Sequence, residues 1–348
     1  MFELWFGIVA LMLVLYVVLD GFDLGAGALH LWVARTDAER RQLLAAIGPY
    51  WDGNEVWLLA AGGALFVAFP RVLAAGLSGF YVAIFLVLWC LLLRGIAIEF
   101  RSHVGDPLWR AFWDAVLALA STLLAVFLGA ALGNLLRGLP LDAHGWFGLT
   151  LFTDWSARPP VGILDWYTVL VGVFALVTLW LHGALFLDWR TDGAVQARSH
   201  RLAGVLAWVV ALAWPLLTWA TVTVYPALLG GFSTRPFAWL GVALTALGVI
   251  AVRVGLWRGR TVFGFLGSCG FIAGLLVATA ASMFPVMLRS VPDAGYSITA
   301  STGGNDARGL GLALRWWVLG FPIAIGYLVL LFRLHRGKAV AARDGEGY

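Results

Sequence analysis

Two pairs of carboxylates stand three residues apart inside otherwise apolar runs: Asp20 with Asp23, and Asp52 with Glu55, the latter pair bracketing Asn54. Spacing of i, i+3 turns both members of a pair to one side of a helix. A charge held at membrane depth costs at least about 2.5–3.5 kcal/mol on insertion scales, so such acids persist where they face protein or a hydrated path. A third apolar run closes on Arg94-Gly-Ile-Ala-Ile-Glu99-Phe-Arg101. Carboxylates with an arginine among them can take up, hold and pass on protons, the arginine setting their acidity. The same residues can also do no more than tie helices together. Both readings stand on the residues alone.

The elements that must carry them are membrane helices. Of 348 residues, 61% are hydrophobic and 12% charged, about half the charged share of an ordinary globular chain. Strands of a membrane barrel would alternate with period two, and no such pattern occurs, so the fold class is an all-α integral membrane protein. Nine apolar segments can be drawn, over roughly 3–33, 46–70, 73–99, 110–136, 163–187, 202–225, 237–256, 261–287 and 311–333. Arginine is concentrated in the connections after the odd-numbered segments and at the C-terminal end, which places the N-terminus outside and the C-terminus in the cytoplasm.

Gly27-Ala28-Leu29 before Arg35-Thr36-Asp37 is echoed by Gly183-Ala184-Leu185 before Arg190-Thr191-Asp192. This echo suggests two pseudo-repeated four-helix bundles, 1–136 and 163–287, with a ninth helix over 311–335. External loops cover 137–162 and 288–310, rich in Gly, Pro, Asp and Ser, and a polar, frayed cytoplasmic tail covers 336–348. The N-terminus lacks the basic region and cleavage site of a signal peptide, so the first helix is expected to be retained.

Depth counting at 1.5 Å per residue puts Asp20 and Asp23 in the inner half of the first helix, Asp52 and Glu55 in the inner third of the second, and Arg94 and Glu99 at the inner end of the third. The acids are therefore expected in one layer toward the cytoplasm. His30 and His182 could hold a b-type haem from facing helices, but helix-end capping accounts for them more simply. Cys90 and Cys269 sit inside apolar spans and read as buried thiols. Trp51 and Trp57 join a tryptophan-rich set expected in helix packing and interfacial belts. No phosphate loop, nucleophile elbow or zinc motif is present, and the scattered basic residues exclude a nucleic-acid patch.

Asp20-Gly-Phe-Asp-Leu-Gly-Ala-Gly27, Glu39-Arg40-Arg41, Ile47-Gly-Pro-Tyr-Trp-Asp-Gly-Asn-Glu-Val-Trp57, Gly62-Gly-Ala-Leu-Phe66, Ser78-Gly-Phe-Tyr81 and Arg94-Gly-Ile-Ala-Ile-Glu-Phe-Arg101 follow one another in an order that resembles subunit II of the cytochrome bd quinol oxidases. His182-Gly183-Ala184, Phe284-Pro285 and the last helix agree more loosely. The resemblance implies a multi-pass subunit in a bacterial or archaeal cytoplasmic membrane. Its complex would oxidise ubiquinol or menaquinol and reduce O2 to water, building membrane potential without pumping protons. It implies a heterodimer with a subunit I that carries two b-type haems, one d-type haem and the quinol site.

The resemblance leaves this chain without haem or metal. Its role would be to stabilise the partner and give protons, and O2, a way in, with a structural quinone in some members and small single-helix accessory subunits in others. Asp20, Asp23 and Asp52 fall on the family's acidic motifs. Glu55 and Glu99 extend the expected proton route, with Arg94, Arg101, Trp51, Asn54 and Trp57 as charge partners or supports. The alternative is a proton-coupled secondary transporter, which would need a polar midplane site, often in both repeats.

Overall fold

The computed structural model describes residues 1–340. Its helices, in chain order, are α1 (Phe2–Ala28), α2 (His30–Val33), α3 (Asp37–Ile47), α4 (Trp51–Ala68), α5 (Pro70–Gly79), α6 (Tyr81–Phe100), α7 (Pro107–Arg137), α8 (Trp166–Arg190), α9 (Gly193–Val224), α10 (Leu228–Thr234), α11 (Pro236–Trp257), α12 (Thr261–Met283) and α13 (Ala307–Leu334). Eight of them, α1, α6, α7, α8, α9, α11, α12 and α13, are long and apolar enough to cross a membrane. The ninth segment expected from the sequence is α4, whose 18 residues open on Trp51-Asp-Gly-Asn-Glu55. That polar first turn and a half sets it apart from the other eight.

Helix ends follow local chemistry. Thr36 and Glu39 form a reciprocal capping box at the start of α3, and Asp165 caps α8 by accepting the backbone N–H groups of Tyr167 and Thr168 at 2.8 and 2.9 Å. Pro70 opens α5 and has no N–H to continue α4. Two expected helices are each divided. The segment 3–33 breaks at Leu29 into α1 and α2. The segment 73–99 is preceded by α5 and begins within it, α5 and α6 parting at Phe80. There Phe147, from the loop after α7, lies against the Gly79 backbone where a Cβ would overlap its ring.

Packing is tightest where glycine lets backbones touch. A Cβ on Gly25 of α1 would overlap the Leu179 carbonyl oxygen of α8, and one on Gly183 of α8 would overlap the backbone of Gly25 and Ala26. Gly241, Gly248 and Gly255 recur every seven residues on α11 and meet the α12 backbone in the same way. Small residues of this kind carry helix association in lipid, where the solvent supplies no hydrophobic drive. α8 is central: 61% of its most apolar stretch is buried, against 0% for α13.

The two long connections pack on each other and on α1, so that Leu139, Leu141, Phe147, Leu288 and Ile298 share a core with Trp5 and Ile8. A short antiparallel pair, β1 (Val286–Leu288) with β2 (Ile298–Thr299), lies in the second connection. At the opposite end, the residues after α13 are held rather than frayed. Ala339 N donates to Arg190 O at 2.6 Å and Lys338 Nζ to Trp189 O at 2.7 Å. The rest of the expected tail, 341–348, lies outside the described residues.

Candidate functional site

Three helices bring a single guanidinium between two carboxylates. α1 presents Asp20, α4 presents Glu55, and Arg94 enters from α6. Arg94 Nη1 donates to Asp20 Oδ1 and Nη2 to Glu55 Oε2, both at 2.7 Å. Charge-assisted bonds of this length are about twice as strong as neutral ones. Desolvating three charged groups offsets much of that gain, so the triad specifies how α1, α4 and α6 meet more than it stabilises them.

One turn along α1, Asp23 faces an amide instead of a cation: Asn54 Nδ2 donates to Asp23 Oδ2 at 2.7 Å and to Leu19 O at 3.3 Å. Four buried polar atoms around this layer, on Asp23, Asn54, Arg94 and Trp51, have no protein partner, while Tyr16 stands beside Asp20. Buried groups of that kind draw in water or share protons.

Exposure grades across the layer. The side chains of Asp20 and Arg94 are 0% and 1% exposed, while that of Glu55 is 23% exposed. Asp52, one turn before Glu55, is exposed on the outer face of α4. Among the described residues it has no hydrogen-bond or ion-pair partner. Asp20, Asp23, Asn54, Glu55 and Arg94 therefore do form one layer, with Asp52 at its rim. Glu99 lies on the exposed surface at the end of α6. Trp57 is buried and meets Phe321 of α13 edge-on at 6.0 Å, and Trp51 packs its ring over Gly95 of α6.

Arg101 belongs elsewhere. Its Nε donates to Asp114 Oδ1 at 2.5 Å and its Nη2 to Asp37 Oδ1 at 2.8 Å. Asp114 of α7 also meets His30 Nε2 at 2.6 Å and Arg40 Nη1 at 2.8 Å. This second cluster joins the ends of α2, α3, α6 and α7 and is apart from the Arg94 layer. Sequence reasoning passed over Asp114; the signal was there in a lone acid inside an apolar helix. Nearby, Arg198 of α9 pairs with Glu39 of α3 at 2.5 Å. That hydrogen bond, with those from the Arg35 and Thr36 backbone, pulls the Glu39 carboxyl down to about 2 against the cost of partial burial.

Of the two histidines that could face a haem, His182 does not fit one. His182 is fully buried, with Nδ1 on Ser268 Oγ at 2.7 Å and Nε2 on Val18 O at 2.8 Å, so both ring nitrogens are engaged. His30 meets Asp114 through Nε2 and keeps a buried Nδ1 without a protein partner. No group of three or more His, Cys, Asp or Glu is placed to hold a metal among the described residues. Cys90 and Cys269 are free thiols. Beside α1, α8, α12 and α13 lies a cavity of about 250 Å³ lined by apolar and aromatic side chains, including Phe22, Phe265 and Phe332.

Fold and site together define a multi-pass helical membrane protein that buries acid–arginine clusters between its helices. The family model for cytochrome bd terminal oxidase subunit II matches residues 1–335. The chain belongs to that family. It is 33% identical over 354 residues to the cytochrome bd ubiquinol oxidase subunit 2 of Bacillus subtilis, covering 99% of this chain and 98% of that one. It is 31% identical over 326 residues to the cytochrome bd-I ubiquinol oxidase subunit 2 of Escherichia coli K12, covering 85% and 84%. A chain in the structure of bd oxidase from Geobacillus thermodenitrificans shares its fold with a TM-score of 0.73 at 17% identity, over 96% of this chain and 98% of that chain. As a subunit II in a respiratory oxidoreductase, the chain implies a subunit I partner and haem in the complex.

Proposed function

We propose that this chain is the haem-free subunit of a quinol:O2 oxidoreductase in the cytoplasmic membrane. It braces the haem-bearing subunit I and leads protons from the cytoplasm toward the site where O2 becomes water. The observation that carries the reading is the graded exposure from Asp52 through Glu55 to the Arg94–Asp20 pair and Asp23. Each step is one helical turn or one hydrogen bond, and every member can hold or relay a proton or fix one that does. Glu99, exposed at the end of α6, is assigned to the cytoplasmic side of this route.

In this reading two b-type haems, the d-type haem and the quinol site lie on the partner. The apolar cavity beside Phe22 suits an aliphatic tail, of a structural quinone or of a lipid. The residues of the second cluster position α2, α3, α6 and α7 and take no part in proton relay. A proton-coupled transporter is less well supported, because the second half carries Asp165, Asp188 and Asp192 only at the ends of α8 and α9 and has no carboxylate between Gly193 and Pro292 to form a matching midplane site.

The test is Asp52→Asn in the assembled complex. The change is close to isosteric and removes the proton-carrying group from an exposed position, so haem content persists while quinol-driven O2 uptake falls by about a hundredfold or more, the usual scale for losing a positioned proton-transfer group. Uptake at the parental rate removes Asp52 from the route. Loss of the complex instead assigns the residue to assembly.

A further inference from the structure

No aspartate or glutamate occurs between Gly193 and Pro292, a stretch that contains seven arginines. Arg198 is paired with Glu39. At the same end of the bundle, Arg201, Arg253, Arg258 and Arg260 have no carboxylate partner among the described residues.

Two exposed tryptophans each hold one of these arginines against the ring, and a third arginine shares a helix face with the first tryptophan. Trp208 stands two turns from Arg201 on the same side of α9, and the Arg253 guanidinium of α11 lies 4.2 Å from its ring centroid. Trp257 follows Arg253 by one turn, and Arg258 lies 5.8 Å from the Trp257 ring. Trp208 is 56% and Trp257 80% exposed. Below this belt the outward faces of α9 and α11 continue as exposed hydrocarbon, including Leu212, Leu247 and Ile250.

We propose that this surface is a binding site for an anionic phospholipid. The phosphodiester would lie between Arg253 and Arg258, the acyl chains along α9 and α11, and the two indoles at the boundary between head group and tail. Guanidinium groups bind phosphate oxygens through paired donors. Tryptophan favours the interfacial zone, and clustered arginines between membrane helices attract acidic lipid. Free phosphate would use the charges and leave the apolar stripe unused. An acidic protein segment would match the charges without needing a stripe of lipid-like depth.

The experiment uses the whole complex in nanodiscs of equal phosphatidylglycerol and phosphatidylcholine, with retained lipid counted by native mass spectrometry. The parent keeps phosphatidylglycerol preferentially. Arg253→Gln with Arg258→Gln lowers that preference about thirty-fold, taking the usual contribution of each near-surface arginine. Arg201→Gln with Arg258→Gln, both exposed, provides a second variant should the first fail to assemble, and it too lowers the preference. Unchanged retention of phosphatidylglycerol in the assembled variants overturns the proposal. So does a photoreactive phenylalanine analogue placed at Trp257 that captures protein in place of lipid.

Discussion

Arg94 offers the most direct test of how the buried layer is held. It spends one arm on Asp20 and the other on Glu55, both at 2.7 Å. Asp20→Asn removes one charge and leaves the guanidinium paired with Glu55. The expected loss is about 1.5–3 kcal/mol, the scale of one hydrogen bond to a charged group. Glu55→Gln leaves the opposite pair and should cost less, because its side chain already reaches water at 23% exposure. The double variant strands Arg94 as an uncompensated buried charge, where losses of about 3–5 kcal/mol arise from that term alone.

The four proteins therefore form a cycle with a coupling of roughly 1–3 kcal/mol, the double variant falling by more than the sum of the singles. The assay is unfolding of the detergent-solubilised complex along an SDS titration, followed through its haem absorbance. Additive losses refute the argument. They would mean that each carboxylate is held by something other than the shared guanidinium.

Further outcomes follow from contacts elsewhere. Glu39 has an ordinary value of 4.5 and sits at about 2 when folded, chiefly through Arg198. A carboxyl depressed on folding stabilises the protein fully above its unfolded value, and the benefit is lost as pH falls through the folded one. The difference in melting temperature between parent and Glu39→Gln should therefore be present at pH 6, shrink below about 4.5 and vanish near 2. Gly25→Ala places a methyl group on the Leu179 carbonyl and should lower unfolding stability by at least about 1–3 kcal/mol. Gly62→Ala, with nothing within 4 Å of the added carbon, should leave the melting temperature in place; equal effects would show that the α1–α8 crossing is looser than described.

Much of this arrangement was legible in the sequence, for identifiable reasons. Acids in an apolar run report burial against protein, and helical spacing then places Asp20 and Glu55 within reach of Arg94 and Asp23 beside Asn54. Spacing did not separate Asp52 from Glu55. Three residues turn a helix by roughly 300°, which leaves such a pair about 60° apart, and the edge of the packed face runs between them. Arg101 lies seven residues past Arg94 and shares its side of α6, but that places it about 10 Å further along the axis, at the level of Asp114. Axial distance decided its partners. At the parting between α5 and α6 Phe147 packs on Gly79 and Phe80, and a contact made by a distant loop leaves no local mark.

The glycine ladder between α11 and α12 bears on how the molecule is made. The two helices are consecutive, joined by a turn at residues 258–260, and each supplies the backbone surface that the other needs. Such a hairpin has short loops to close and can form while the chain is still entering the membrane. The α1–α8 crossing and the Arg94 layer instead unite parts far apart in the chain: Gly25 waits for Gly183, and Asp20 for Glu55 and Arg94. Biogenesis thus has a natural order, with the acid-free hairpin forming locally and the charged layer closing once its distant strands of sequence have met. During that interval Asp20, Asp23 and Arg94 lack their native partners. The opening helices are then the part of the nascent chain that most needs the insertion machinery or a neighbouring subunit beside it.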